Sequence, residues 1–462
     1  MSTYDVRFWK ILKRTGRRPW HVRWTVGGRV RSQSFATKGL AERFRAELLA
    51  AASRGEPFDE ISGLPGSKLR QLRQVSWYTL ARDYVAVKWP NAAPKTRAGI
   101  ADALATVTPA LAGGGRGRPD PQTLRTALAG WAFNPPRWTA QPPPQIAAAL
   151  RWVERASVLV GELAKPEVTR RALDALAVRM DGRPAAAHTV SRKRRVLYNA
   201  LRYAMRERGL LAAHPIDAVD WTAPAVAEVI DRRVVASPSQ VRDLLDAVGA
   251  VGRRQGRRLV AFFACLYYAG LRPSEAVALR ADDCLIPPSG WGRLTLSGSE
   301  PAPGKQWTDN GQTHQRRGLK HRPHKTTRVV PIPPELVGIM RGHISEFGTS
   351  DDGRLFRSER GNPLHPSTYW RVWSRARRTA LSPARAASPL AARPYDLRHA
   401  AVPLWLNAGV PATEVADRAG HSVDVLLKVY AKCIDGQQQA INTRIETALT
   451  HTSDTQEKTA AA

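Results

Sequence analysis

The chain reads as mainly α-helical with small β-sheets and as multidomain. The expected parts are an N-terminal sheet-plus-helix domain over 1–65, a helical domain over 72–225, a mixed α+β domain over 238–445 and a disordered polar tail over 446–462. Three observations predict this. Residues 4–35 alternate apolar and polar side chains with the period of a strand. Most later segments repeat apolar residues at three- and four-residue spacing, the helix period. Stretches rich in Gly and Pro separate the blocks. A chain of 462 residues is long enough for two or three domains, each burying its own core.

In the first block, Phe8, Trp9 and Ile11, then Trp20, Val22, Trp24 and Val26, lead through Gly27-Gly28 to Val30, Ser32 and Ser34. Gly-Gly between two alternating runs predicts a hairpin. Leu40, Ala41, Phe44, Leu48 and Leu49 then share one side of a helix over 38–52. Arg23, Arg29 and Arg31 make this a basic ribbon, a shape that enters a DNA groove; a solvated sheet without a specific role gives the same pattern. After a connection over 55–67, helices are expected over 77–88, 95–111, 123–131, 145–163, 169–179 and 185–208. The last of these is the most basic: Arg192, Lys193, Arg194, Arg195, Arg202 and Arg206 share it with Leu197, Leu201 and Ala204. Such a face suits tracking of phosphates, or simple solvation. The polar, Pro-containing segment over 221–239 reads as a linker. Beyond it, an apolar helix over 259–269 stops at Gly270. Two strands over 292–297 and 328–332 are joined by a long basic loop, and further helices run to about 445.

Composition narrows the partners. Lys and Arg number 71 against 39 Asp and Glu, a formal charge of +32 spread along the chain. That balance predicts a polyanionic partner, nucleic acid above all. Cys265, Cys284 and Cys433 lie far apart, without metal-ligand or disulfide spacing, as in a reducing cytoplasm. No apolar run reaches the ~18 residues of a membrane span, and the first residues lack the apolar core of a signal peptide. A soluble cytoplasmic protein is expected. Heavy use of Arg, Ala, Pro and Trp is what GC-rich codons produce, as in a bacterial or phage source.

Four side chains recur in an order that suits attack on a phosphodiester. Arg272 opens a helix in Leu271-Arg272-Pro273-Ser274-Glu275, with Glu275 placed to orient it. Arg398 lies in Tyr395-Asp396-Leu397-Arg398-His399, His421 follows Gly420, and Tyr430 ends an apolar run. Two guanidinium forks can grip non-bridging oxygens, an imidazole can add a hydrogen bond, and a phenol can attack phosphorus. Taken singly, each has an ordinary structural role; the order makes the case.

These motifs resemble those of the tyrosine recombinase, or phage integrase, family over about 238–445. Ala269 to Glu275 is similar to its first arginine box, and Tyr395 to His399, Gly420-His421 and Tyr430 to its second. The resemblance implies an arm-type DNA-binding domain over 1–65, a core-type domain over 72–225 and a catalytic domain over 238–445. It implies that Tyr430 forms a 3′-phosphotyrosyl link, that Arg272 and Arg398 stabilise the phosphorane, and that His421 donates to the same oxygens. A lysine on a β-hairpin would protonate the leaving 5′-oxygen, with Lys320 favoured over Lys325. Tyr395 stands where the family usually has histidine, and His399 would brace the site. The implied partners are double-stranded DNA, a homotetramer in the synaptic complex and an accessory DNA-bending or directionality factor, with no membrane. No cofactor or metal is implied. The alternatives are a strand-swivelling topoisomerase with the same chemistry and a catalytically impaired DNA-binding regulator or architectural protein of the same fold.

Overall fold

In the computed structural model, which describes residues 2–73, 75–115, 117–226, 229–320, 326–433, 442–443, 445–447 and 449, the alternating run becomes a hairpin. Its strands are β4 (Trp20–Val26) and β5 (Arg29–Phe35), preceded by β1 (Ser2–Thr3), β2 (Val6–Phe8) and β3 (Leu12–Lys13). Strand β4 pairs antiparallel with β2, β3 and β5, its register with β5 running from Trp20↔Phe35 to Val26↔Arg29. Gly27 and Gly28 have φ of 54° and 76°, which the tight two-residue turn demands. Strand β6 (Phe58–Asp59) pairs with β1. Val22, Trp24 and Val26 are buried against Ala41, Phe44 and Leu48 of the helix Lys38–Ser53, which Thr37 caps. The alternation therefore sets which face of the sheet meets the helix.

The chain divides into two compact units, Met1–Val226 and Ala227–Ala462. The first also holds the helices Trp77–Lys88, Pro94–Val107, Pro121–Ala127, Pro144–Ala156, Pro166–Ala177 and Ala187–Arg206. Several open on proline, whose missing N–H costs nothing in a first turn. Some expected helices are shorter than their periodicity suggests, the one over 123–131 among them, α-helical only to Ala127. The helix expected over 145–163 stops at Ala156, because Val158 donates instead to Leu111 O and Ser157 bridges Ala112. The one over 95–111 is α-helical to Val107 and tightens into a 3₁₀ turn, Thr108–Leu111, at Pro109.

In the second unit, Pro238–Gly249, Arg257–Tyr268, Pro334–Phe347 and Pro366–Ala380 enclose a core with Phe262, Phe263, Phe356 and Trp373. A three-stranded antiparallel sheet flanks it, β7 (Cys284–Leu285), β8 (Gly292–Leu296) and β9 (Arg328–Ile332), in that order. Pro331 sits in β9 at the sheet edge, where its missing donor is tolerated. The helices Asp396–Asn407, Ala412–Ala419 and Val423–Tyr430 build a smaller core of Val402, Leu406, Val415, Ala419, Leu426 and Tyr430. The fold class is the expected one, mainly α with small sheets. Residues 450–462 of the expected disordered tail lie outside the described residues, as does Lys325. Among the described residues no helix is long and apolar enough to cross a membrane.

Candidate active site

Arg272 is the cap of the short helix Pro273–Ala278, after a turn in which Gly270 has φ 56°. Its backbone N–H donates to Glu275 Oε2 at 2.9 Å and its Nη1 to Glu275 Oε1 at 2.7 Å. The carboxylate thus holds the residue at both ends, as its spacing suggested. Glu275 is itself buried and takes two further bonds from Arg328, at 3.1 and 2.7 Å. Burial pushes the Glu275 carboxyl up, but Arg328, Arg272 and Arg398 outweigh it and lower it to about 2. The second Arg272 nitrogen, Nη2, donates to Gly420 O at 2.9 Å. The first box is therefore tied to the turn that carries His421.

Arg398 is fully buried, an arginine position that only polar partners make tenable. It donates to Gly270 O and Ala419 O, and to His421 Nε2 at 2.9 Å. Three of a guanidinium's five donors are thereby used, and Nε has no protein partner among the described residues. Since an arginine can only donate, His421 Nε2 accepts and the His421 proton sits on Nδ1, which is buried and also unpartnered among the described residues. Burial, then Arg398, Arg272 and Arg328, lower His421 to about 3, so the ring is neutral at pH 7. Gly420 ends the preceding helix with φ 64°, and a Cβ there would lie 2.3 Å from Arg328 Nη1 and 3.4 Å from Arg272 Nη1. Only glycine lets both arginines approach this turn.

Tyr430 ends its helix with no exposed surface, among Leu426, Val415 and Ala419. Its hydroxyl lies 3.0 Å from His399 Nδ1, and its ring stands 6.3 Å from that of His421. Burial raises the phenol well above its ordinary value, against the opposing pull of Arg398 and Arg272. Tyr395 packs edge-on against His399 at 4.9 Å. Burial lowers the Arg272 guanidinium, while Glu275 and Tyr395 raise it by more.

The structure thus brings Arg272, Tyr395, Arg398, His421 and Tyr430 into one cluster. Lys320 has a different setting. It was expected to lead into a strand, but it is an exposed turn residue just after buried Leu319, and β9 begins only at Arg328. The residue that sequence reasoning missed is Arg328, noted only as the start of a strand. Its side chain is 3% exposed and joins β9 to Glu275. The available signal was an arginine heading an otherwise apolar strand.

In the first unit, Arg192, Arg195, Arg202 and Arg206 form an exposed stripe at helical spacing on Ala187–Arg206. Lys193 turns inward, 3.4 Å from Asp102, which also accepts from Arg192 at 2.9 Å and from Arg125. Burial pushes the Asp102 carboxyl up, but Arg125, Lys193 and Arg192 lower it overall. Arg202 and Arg206 line an open groove of about 1060 Å³ with Arg17, Arg18, Arg31 and Lys88.

Comparison with known proteins matches residues 235–435 to the phage integrase family. The chain is 26% identical over 206 residues to a tyrosine recombinase of Pseudothermotoga lettingae, covering 44% of this chain and 58% of that protein. It is 26% identical over 207 residues to an integrase of Streptomyces ambofaciens, covering 43% and 50%. The chain thus spans about half the length of these curated relatives. Among solved structures, the Tn1549 transposon integrase in complex with transposon right end DNA aligns with TM-score 0.46 and 17% identity, covering 67% of this chain and 96% of that one.

Proposed function

We propose that this chain, whose residues 235–435 match the phage integrase family and which is similar to curated tyrosine recombinases and integrases, is a site-specific recombinase that cuts and rejoins DNA. The observation that carries the reading is the cluster itself: two arginines, a neutral histidine and a buried tyrosine, far apart in sequence, converge on one point. Tyr430 attacks the scissile phosphorus and forms a 3′-phosphotyrosyl bond as the bond to the 5′-oxygen breaks. Arg272 and Arg398, with donors left over and their forks held by protein acceptors, stabilise the charge on the non-bridging oxygens. His421 Nδ1–H donates to the same oxygens. Tyr395, beside Arg272, adds a phenol to the phosphate pocket. Lys320 protonates the departing 5′-oxygen.

The substrate in this reading is double-stranded DNA, bound by a core-type domain over 72–225 and an arm-type domain over 1–65. The exposed arginine stripe and the basic groove of the first unit support that assignment. Four copies act on two duplexes, with an accessory DNA-bending or directionality factor, in the cytoplasm of a bacterium, to integrate or excise a mobile element. Sedimentation of the DNA complex tests the stoichiometry, with four chains per two duplexes expected. For the chemistry, duplexes selected for binding from a randomised library are nicked so that the 5′-hydroxyl fragment diffuses away. A denaturing gel should show a covalent protein–DNA band with wild type and none with Tyr430→Phe. A wild type without that band marks a DNA-binding regulator instead.

A further inference from the structure

We propose that His399 is a catalytic residue for the strand-cleavage step, its Nδ1 receiving the Tyr430 hydroxyl proton as the phenolic oxygen attacks phosphorus. The inference rests on the reading of Tyr430 as nucleophile and supplies the proton acceptor which that reading lacks. The two atoms are 3.0 Å apart, within direct transfer distance. In the DNA-free chain Tyr430 has no exposed surface, and the group at its hydroxyl is His399 Nδ1 rather than bulk water.

The other nearby candidates are excluded by what they already hold. His421 accepts from Arg398 through Nε2 and carries its proton on Nδ1, so it can donate but not accept. Glu275 is committed to Arg272 and Arg328. The buried Asp396 carboxylate takes the backbone N–H and the guanidinium of Arg393. Tyr395 offers a phenol, a poor proton acceptor at neutral pH, and lends its ring edge to His399. His399 sits in the first turn of the helix Asp396–Asn407, half-buried and oriented by these contacts.

The groups that face His399 set its basicity. Arg393, Tyr395, Asp396 and Arg398 come from its own segment, and His421 and Tyr430 from the elements packed against it. Burial lowers the imidazole to about 4, with Asp396 raising it and Arg393 and Arg398 lowering it, so it is neutral and able to accept at pH 7. An arriving phosphodiester anion raises its basicity. The phenolic oxygen in turn loses affinity for its proton as the O–P bond forms. The step balances: the Tyr430 O–P bond forms, the P–O5′ bond breaks, the phenol proton moves to His399, and the 5′-oxygen leaves with the proton of the general acid. On rejoining, His399 returns its proton to Tyr430.

The test uses the full chain and the selected nicked duplex. His399→Asn keeps an acceptor where Nδ1 lies but cannot take up a proton. Adduct formation should slow about 100-fold or more, with thermal midpoint and DNA affinity unchanged. A fluorotyrosine at position 430, whose phenol ionises more readily, should recover most of that loss. An Asn variant within about threefold of wild type, or a defect that fluorotyrosine does not relieve, overturns the proposal. Should the variant unfold, wild type decides: cleavage must slow in D₂O, less so with fluorotyrosine, and the absence of any isotope effect is a contradiction. Absence of an adduct with wild type defeats the reading of Tyr430 itself, an outcome distinct from a wild-type adduct with an unaffected His399 variant.

Discussion

The arginines along Ala187–Arg206 and those around Tyr430 carry the same charge in opposite surroundings. Arg195, Arg202 and Arg206 stand in solvent on one helical stripe. Arg272, Arg328 and Arg398 are largely or wholly buried, bonded to Glu275, to the carbonyls of Gly270, Ala419 and Gly420, and to His421. The first kind is a diffuse electrostatic surface, cheap to alter and sensitive to salt. The second is a fixed constellation whose members depend on one another. A high net charge reveals the first kind; the second shows only through glycine turns and a buried carboxylate.

Replacement separates the two kinds most sharply at Arg398. Arg398→Ala strands the Gly270 and Ala419 carbonyls, at about 1–3 kcal/mol each, and removes the proposed phosphate ligand, a loss expected to cost about 10²–10³ in rate. Chemical denaturation and single-turnover adduct formation should both register it. Arg328→Met comes next: Glu275 stays buried with one cation gone, a loss of about 3–5 kcal/mol in stability by urea unfolding. The smallest effect belongs to the exposed stripe. Arg195→Ala or Arg202→Ala should change stability by less than about 0.5 kcal/mol and flatten the salt dependence of DNA binding by about one unit of slope. An Arg202 variant that unfolds the first unit would break the contrast.

Acid titration sharpens it by another route. His399 and His421 are lowered from 6.5 to about 4 and about 3, so the unfolded chain takes up protons below pH 6.5 before the folded one does. Stability of the second unit should therefore fall as pH drops from 6.5 towards 3. Glu275, lowered from 4.5 to about 2, adds a further loss as pH falls from 4.5 towards 2. In the first unit the carboxylates held low, Glu56, Asp59, Asp102 and Asp120, give up their contributions only as pH falls below about 4.5. Hydrogen exchange resolved by segment should show the second unit opening at the higher pH.

Much of the fold was legible because its signals are local. Gly27-Gly28 between alternating runs, Gly270 before Arg272-Pro273 and Gly420 before His421 each mark a turn by conformational need. What stayed hidden depends on distant partners. The stretch 157–159 leaves the helix because its backbone pairs with Leu111 and with residues near 75. Arg328 read only as the start of a strand, since its partner Glu275 lies 53 residues away. The apolar lead-in Gly318-Leu319-Lys320 suggested a strand, but buried Leu319 belongs to the core and Lys320 to a turn. His399 was read as a brace because the sequence cannot show which ring nitrogen meets Tyr430.

The central claim is that the buried cluster exists to make Tyr430 a nucleophile. Digestion of the covalent complex with the selected nicked duplex, followed by mass spectrometry, tests it directly. The account predicts a single modified peptide, carrying a 3′-linked nucleotide on Tyr430; a nucleotide on any other residue, or an unmodified Tyr430 peptide from active protein, would contradict it.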